Sequence, residues 1–80
     1  MEFVIDPHSK VAAYQQLAGA IRDAIAAGTY GPREAIPSLT QLTGQTGLAK
    51  GTVQRAIQVL EDEGLVYTVS GRGTFVSPRA

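Results

Sequence analysis

The sequence predicts a small α+β domain, mainly α-helical, with three helices followed by a two-stranded ribbon. Three observations predict it. Apolar residues return every three or four positions in three successive segments. Gly28, Gly47 and Gly64 each follow one of those segments as a stop. The C-terminal stretch then changes to β-prone runs on either side of Ser70-Gly71-Arg72-Gly73.

The elements follow in chain order. Phe3-Val4-Ile5 is β-prone and is stopped by Asp6-Pro7, so it reads as a short edge strand or a frayed terminus. Val11, Tyr14, Leu17, Ala18, Ile21 and Ile25 form one stripe, which gives a first helix over about 12–27. Thr29 to Pro37 is a loop with Gly31-Pro32 inside it. Ser38 stands before Leu39 and Leu42 as an N-cap, opening a short second helix over about 39–45. Gly44 inside that helix costs roughly 1 kcal/mol relative to alanine. Val53, Ala56, Ile57 and Leu60 form the apolar face of a third helix that ends at Gly64. Leu65 to Val69 and Thr74 to Val76 are the two strands of a hairpin. The expected core is Leu17, Ile21, Ile25, Ile36, Leu39, Leu42, Leu48, Val53, Ile57, Leu60, Leu65 and Phe75.

Composition narrows the function. Eighty residues make one domain, and 44% apolar with 18% charged residues fits a globular chain. The absence of cysteine excludes a disulfide framework and a thiolate metal site. His8 has no partner at metal-ligand spacing, so no metal or other cofactor is expected. No apolar run has membrane-span length and no signal peptide opens the chain, which makes a cytoplasmic protein the expectation. The net charge is zero, unusual for a small nucleic-acid binder, but the charges are not evenly spread. No acid occurs from Ala35 to Leu60 or from Gly64 to Ala80, where Lys50, Arg55, Arg72 and Arg79 lie. Three acids cluster at Glu61-Asp62-Glu63, read as a solvated helix end facing away from any DNA.

Leu42, Thr43, Gly47, Leu48 and Val53 have the spacing of a helix-turn-helix over about 38–63. The glycine takes the left-handed turn, and the apolar anchors bury so that two helices cross steeply. The leading end of the second of these is then free to enter a major groove. Thr43 is larger than the alanine usual at its position, a mild strain on the packing. The hairpin over about 65–77 reads as a wing whose tip brings backbone and the Arg72 guanidinium to a phosphate or minor groove.

With these elements in place, the chain resembles the N-terminal winged helix-turn-helix domain of GntR-type regulators. The residues that carry the likeness are Ala13-Tyr14-Gln15-Gln16-Leu17, Ile25-Ala26-Ala27-Gly28, Ile36-Pro37-Ser38, Thr52-Val53-Gln54-Arg55-Ala56, Leu60 to Val66, and Gly71-Arg72-Gly73-Thr74-Phe75-Val76. The resemblance implies a bacterial transcription regulator that binds an inverted-repeat, double-stranded DNA operator as a homodimer. It also implies a C-terminal domain, absent from these residues, that would bind any small-molecule effector. Thr40, Lys50 and Gln54 stand where such proteins usually have arginine. Lysine lacks the bidentate fork that reads guanine, and glutamine favours adenine. A less guanine-dependent operator is expected. Ala49 stands where Ser or Thr usually caps the third helix.

The expected DNA contacts are Lys50, Gly51, Thr52 and Gln54 at the start of the third helix. Gly71, Arg72 and Gly73 join them at the wing tip, and Ser38, Thr40 and Arg55 as phosphate contacts. Ser38 is also a helix cap, and Arg55 reads equally as a solvated or ion-paired arginine. Tyr14 and Tyr30 are expected in or near the core. The alternative function is a winged helix that binds protein, favoured by zero net charge. An enzyme is not expected, because no acid/base pair, metal cluster or activated nucleophile stands out.

Overall fold

The computed structural model describes residues 3–78. It contains α1 (Ala13–Ala26), α2 (Leu39–Thr46), α3 (Lys50–Asp62), β1 (Val66–Val69) and β2 (Gly73–Val76). The three helices and the hairpin are those expected, each within two residues of its predicted bounds. Val11 falls outside α1 and is exposed, so the apolar stripe begins at Tyr14.

The helices pack α1 on α3 and α2 on α3, with β1 against α3. Leu17, Ile21, Leu42, Val53 and Leu60 are completely buried at the junction. Each such side chain contributes about 1.5–3 kcal/mol on transfer from water. At Gly47 the backbone has φ 72 and its N–H donates to Thr43 O at 2.9 Å. That left-handed bend joins α2 to α3, and a Cβ there would be strained although no atom crowds it. The Thr43 hydroxyl donates to Thr40 O at 2.8 Å, so the larger residue at that position leaves no orphaned polar group.

β1 and β2 pair antiparallel with Val66 opposite Val76 and Tyr67 opposite Phe75. Val66, Thr74 and Val76 face inward and are buried. Tyr67 and Phe75 share the outer face, their rings stacked at 5.7 Å. The expected core therefore needs correcting. Phe75 and Leu65 are only half-buried, and Val76 and Val66 take the places assigned to them. Ile25, Leu39 and Leu48 are also half-buried, at the edge of the core.

Two backbone features lie outside the sequence reading. The segment 33–36, expected as loop, lies along the free edge of β2. Arg33 N–H donates to Val76 O at 2.8 Å, Val76 N–H to Glu34 O at 2.8 Å, and Ile36 N–H to Thr74 O at 3.0 Å. It ties the base of the wing to the entry of α2. The described residues contain no strand before α1; residues 3–6 carry no ladder, although the Phe3 side chain is in the core. The Gln16 side chain holds this arm in place. Its amide nitrogen donates to Asp6 O at 2.9 Å and Val11 O at 2.8 Å, and its Oε1 accepts from Asp6 N–H at 2.8 Å.

Candidate nucleic-acid interface

The inner face of α3 is fixed by Val53, Ala56, Ile57 and Leu60, all buried. At 3.6 residues per turn the other arc holds Gly51, Gln54, Arg55 and Gln58, all exposed, while Lys50 continues the buried stripe toward the N-terminus and is exposed as the first residue of the helix. Thr52 lies on the flank and is half-buried. Of the four residues expected at the leading end, Lys50, Gly51 and Gln54 are thus the most exposed. Ala49 precedes them as N-cap with φ −64 and ψ 150 and offers no capping side chain. The first turn of α3 also carries no acid. No side chain caps its leading N–H groups, and Lys50 stands beside them, an arrangement that favours an anion.

The start of α2 is different. Ser38 Oγ accepts from Gln41 N–H at 3.1 Å, and Gln41 Oε1 accepts from Ser38 N–H at 2.8 Å, a reciprocal capping box. Ser38 is thus committed to its helix, as the cap reading expects. Thr40 is exposed in the first turn of α2.

The wing tip is a tight turn in which Arg72 N–H donates to Val69 O at 2.9 Å. Gly71 at φ 75 and Gly73 at φ 128 adopt backbone that side chains strain to reach. No atom lies near either glycine's missing Cβ, so both remain open to close approach. The Arg72 side chain is exposed between them. A cleft of about 380 Å³ separates this tip from the start of α2, with Ser38 and Leu39 on one wall and Thr68 to Thr74 on the other. A second, of about 300 Å³, runs between α3 and the wing, lined by Gln54, Gln58, Glu61, Thr68 and Thr74 among others. The two clefts share Leu39, Thr68 and Thr74 and follow the seam between helix and ribbon.

The acidic cluster divides three ways. Glu63 forms a two-point ion pair with Arg22 of α1, at 2.9 Å to Nε and 2.7 Å to Nη2. That bond lowers the Glu63 carboxyl below the ordinary glutamate value and raises Arg22 above its own. Asp62 Oδ1 accepts from Gln58 Nε2 at 3.0 Å. These two contacts account for the acids at a helix end that disfavours them. Glu61 departs from the expectation, because it is half-buried and lines the cleft beside Gln54. About 16 Å of helix separates it from Lys50 at 1.5 Å per residue. The exposed side of α3 is thus basic at its start and acidic at its end.

Arg55 is exposed and forms no ion pair among the described residues, but it is packed on an aromatic ring. Its guanidinium carbon lies 4.1 Å from the centroid of the Tyr14 ring on α1. Tyr14 itself is half-buried against the core, as is Tyr30. The sequence reading placed Tyr14 in the hydrophobic stripe and missed this second use. No spacing rule links residues on two helices whose crossing is unknown.

Residues 13–76 match the family described as "Bacterial regulatory proteins, gntR family". The chain belongs to the GntR family. This GntR-family chain is 39% identical over 64 residues to the histidine utilization repressor of Klebsiella aerogenes, covering 80% of the chain and 27% of the relative. It is 33% identical over 76 residues to the transcriptional repressor YtrA of Bacillus subtilis, covering 95% of the chain and 58% of that protein. The chain thus spans less than two thirds of the length of these relatives. In three dimensions it is similar to the AraR DNA-binding domain solved in complex with operator ORX1. The TM-score is 0.88 at 34% identity, with 95% of this chain and 96% of that one covered. YtrA from Sulfolobus acidocaldarius, a GntR-family transcription factor, gives a TM-score of 0.87 at 34% identity, covering 96% and 81%. Within these residues the GntR-family chain is a winged helix-turn-helix regulator domain of the DNA-binding kind. No helix among the described residues is long and apolar enough to cross a membrane.

Proposed function

We propose that the domain reads a double-stranded operator with the leading end of α3 in the major groove and the wing tip at the adjacent backbone or minor groove. The helix-turn-helix spans 38–63 and the wing 65–77. Lys50 and Gln54 contact base edges, Gly51 lets the backbone come close, and Thr52 contacts from the flank. Gly71, Arg72 and Gly73 approach the sugar-phosphate backbone, and Ser38 and Thr40 offer phosphate contacts from α2. Two copies bind the halves of an inverted repeat in the cytoplasm. Any effector-binding or dimerising domain lies C-terminal to these residues, and repression is the outcome favoured by the relatives' names.

The observation that carries this reading is the exposed, uncapped start of α3 with Lys50 upon it, together with a wing tip whose two glycines are free of neighbours. The operator-bound AraR domain supports it, being alike in fold over nearly the full length of both chains. The basic-to-acidic gradient along α3 favours insertion by its N-terminal end, because Glu61 repels phosphate.

The test is selection of bound duplexes from a random pool, followed by a salt series on the recovered sequence. Binding should weaken with a log–log slope near −0.9 per phosphate neutralised. An enriched sequence with A·T pairs opposite Gln54 is the expected result. No enrichment and no salt-sensitive binding to any duplex would overturn the reading and return the protein-binding alternative.

A further inference from the structure

Arg55 is exposed, and its guanidinium is stacked on an aromatic ring. Its guanidinium carbon stands 4.1 Å from the Tyr14 ring centroid. Among the described residues the single ion pair is Arg22 with Glu63, and no carboxylate of those residues pairs with Arg55. A guanidinium lying on an aromatic face uses that face for the cation–π contact and leaves its N–H groups available at the rim. Those groups form the planar fork that matches phosphate oxygens. Tyr14 is itself half-buried against the hydrophobic core, so the platform is anchored to α1. An ordinary exposed arginine loses rotamer freedom on binding. A stacked one has given up much of it beforehand.

Arg55 is also on the α1 flank of the exposed arc of α3, not on the wing flank. Lys50 and Gln54 lie toward the seam with the wing, and Gln54 lines that seam. A duplex seated on the leading end of α3 would present one phosphate strand to the wing and the other to the α1 side.

We infer that Tyr14 is a positioning residue for DNA binding: it holds the Arg55 guanidinium on the α1 side of the recognition helix, where it clamps a backbone phosphate of the strand opposite the wing. The inference rests on the proposed function and adds a second backbone anchor across the groove from Arg72. Tyr14 touches the arginine and not the DNA. Its effect is transmitted wholly through Arg55.

The experiment is a double-mutant cycle on the full chain, using the duplex recovered by selection and a scrambled duplex of equal length. Arg55→Gln should weaken binding to both duplexes by a similar several-fold factor and reduce the salt slope by about 0.9, one phosphate contact. Tyr14→Phe keeps the ring face and should bind as wild type. Tyr14→Leu removes the ring and should weaken binding in the Arg55 background but not in the Arg55→Gln background. A fold check by circular dichroism accompanies each variant. Should Tyr14→Leu fail to fold, Arg55→Lys substitutes for it: the charge is kept and the planar stack lost, and affinity should fall between wild type and Arg55→Gln. An unchanged salt slope in Arg55→Gln, or an equal loss from Tyr14→Leu in both backgrounds, overturns the inference while wild-type binding leaves the proposed function standing. If wild type itself shows no salt-sensitive binding, the functional reading fails and the inference falls with it.

Discussion

The starts of α2 and α3 have nearly the same backbone and opposite endings. Ser38 precedes α2 at φ −67 and ψ 165; Ala49 precedes α3 at φ −64 and ψ 150. Both angles are those of an N-cap residue. At α2 the cap side chain and Gln41 close the helix end upon itself. At α3 the same geometry holds an alanine, and no side chain caps the N–H groups beside Lys50. One helix end is completed by its own chain and serves the fold. The other is left incomplete, and on the functional proposal a DNA backbone completes it.

The largest effect comes from breaking what both helices share. Val53 is fully buried beneath α3, between the two ends. Val53→Asp would bury an unpaired carboxylate at a cost of several kcal/mol. A domain of this size has a total stability of only about 4–12 kcal/mol. The helical signal in circular dichroism should be lost at ambient temperature.

Next in size are substitutions that touch only the open end and the tip beside it. Lys50→Ala should weaken binding to the selected duplex about tenfold, or about 1.4 kcal/mol, with the melting temperature unchanged. Arg72→Ala should have a similar or smaller effect. Fluorescence anisotropy and thermal melts check both. Unchanged affinity in both variants would defeat the assignment of these residues to the interface.

The cap residues sharpen the comparison more finely. Ser38→Ala opens the α2 end and should lower stability by about 1 kcal/mol. Ala49→Ser closes the α3 end and should raise stability by about 0.5–1 kcal/mol. Urea denaturation measures both, and equal responses of the two helices would remove the contrast.

The smallest effect concerns the far end of α3. Arg22 lowers the Glu63 carboxyl, so the folded state binds its proton less readily than the unfolded chain does. The stabilisation is therefore present above the ordinary glutamate value of about 4.3 and is lost as pH falls through the lower folded value. Glu63→Gln should melt slightly below wild type at pH 7, and the gap should close in acid. Both side chains are well exposed, which keeps the gap small.

Much of the fold was legible because local signals agreed. Helical periods, Ser38 and the bend at Gly47 all pointed to the same three helices. The wing was legible as a hairpin but not in its facing. Leu65, Val66 and Tyr67 are consecutive apolar residues, as are Phe75 and Val76, so alternation could not choose which face turns inward. The pairing of residues 33–36 with β2 was hidden between Pro32 and Pro37, because its hydrogen bonds are made by backbone to a strand forty residues on. Gln16 carried no signal, since a glutamine on a helix surface ordinarily faces water. At the candidate site, Gly51 and Gln54 could be placed from the period of α3, and Lys50 from its charge at the first helical position. The Arg55–Tyr14 stack and the Arg22–Glu63 pair could not, since both depend on how α1 crosses α3.

The central claim is that the open start of α3 and the wing tip together form the contact surface. Titrating the selected duplex into isotopically labelled protein and following backbone amide shifts tests it most directly. The largest changes should fall at Lys50 to Gln54 and at Ser70 to Gly73, with Asp23 and Glu63 on the opposite side unmoved. Changes centred on Asp23 and Glu63, with Lys50 and Arg72 silent, would contradict the account.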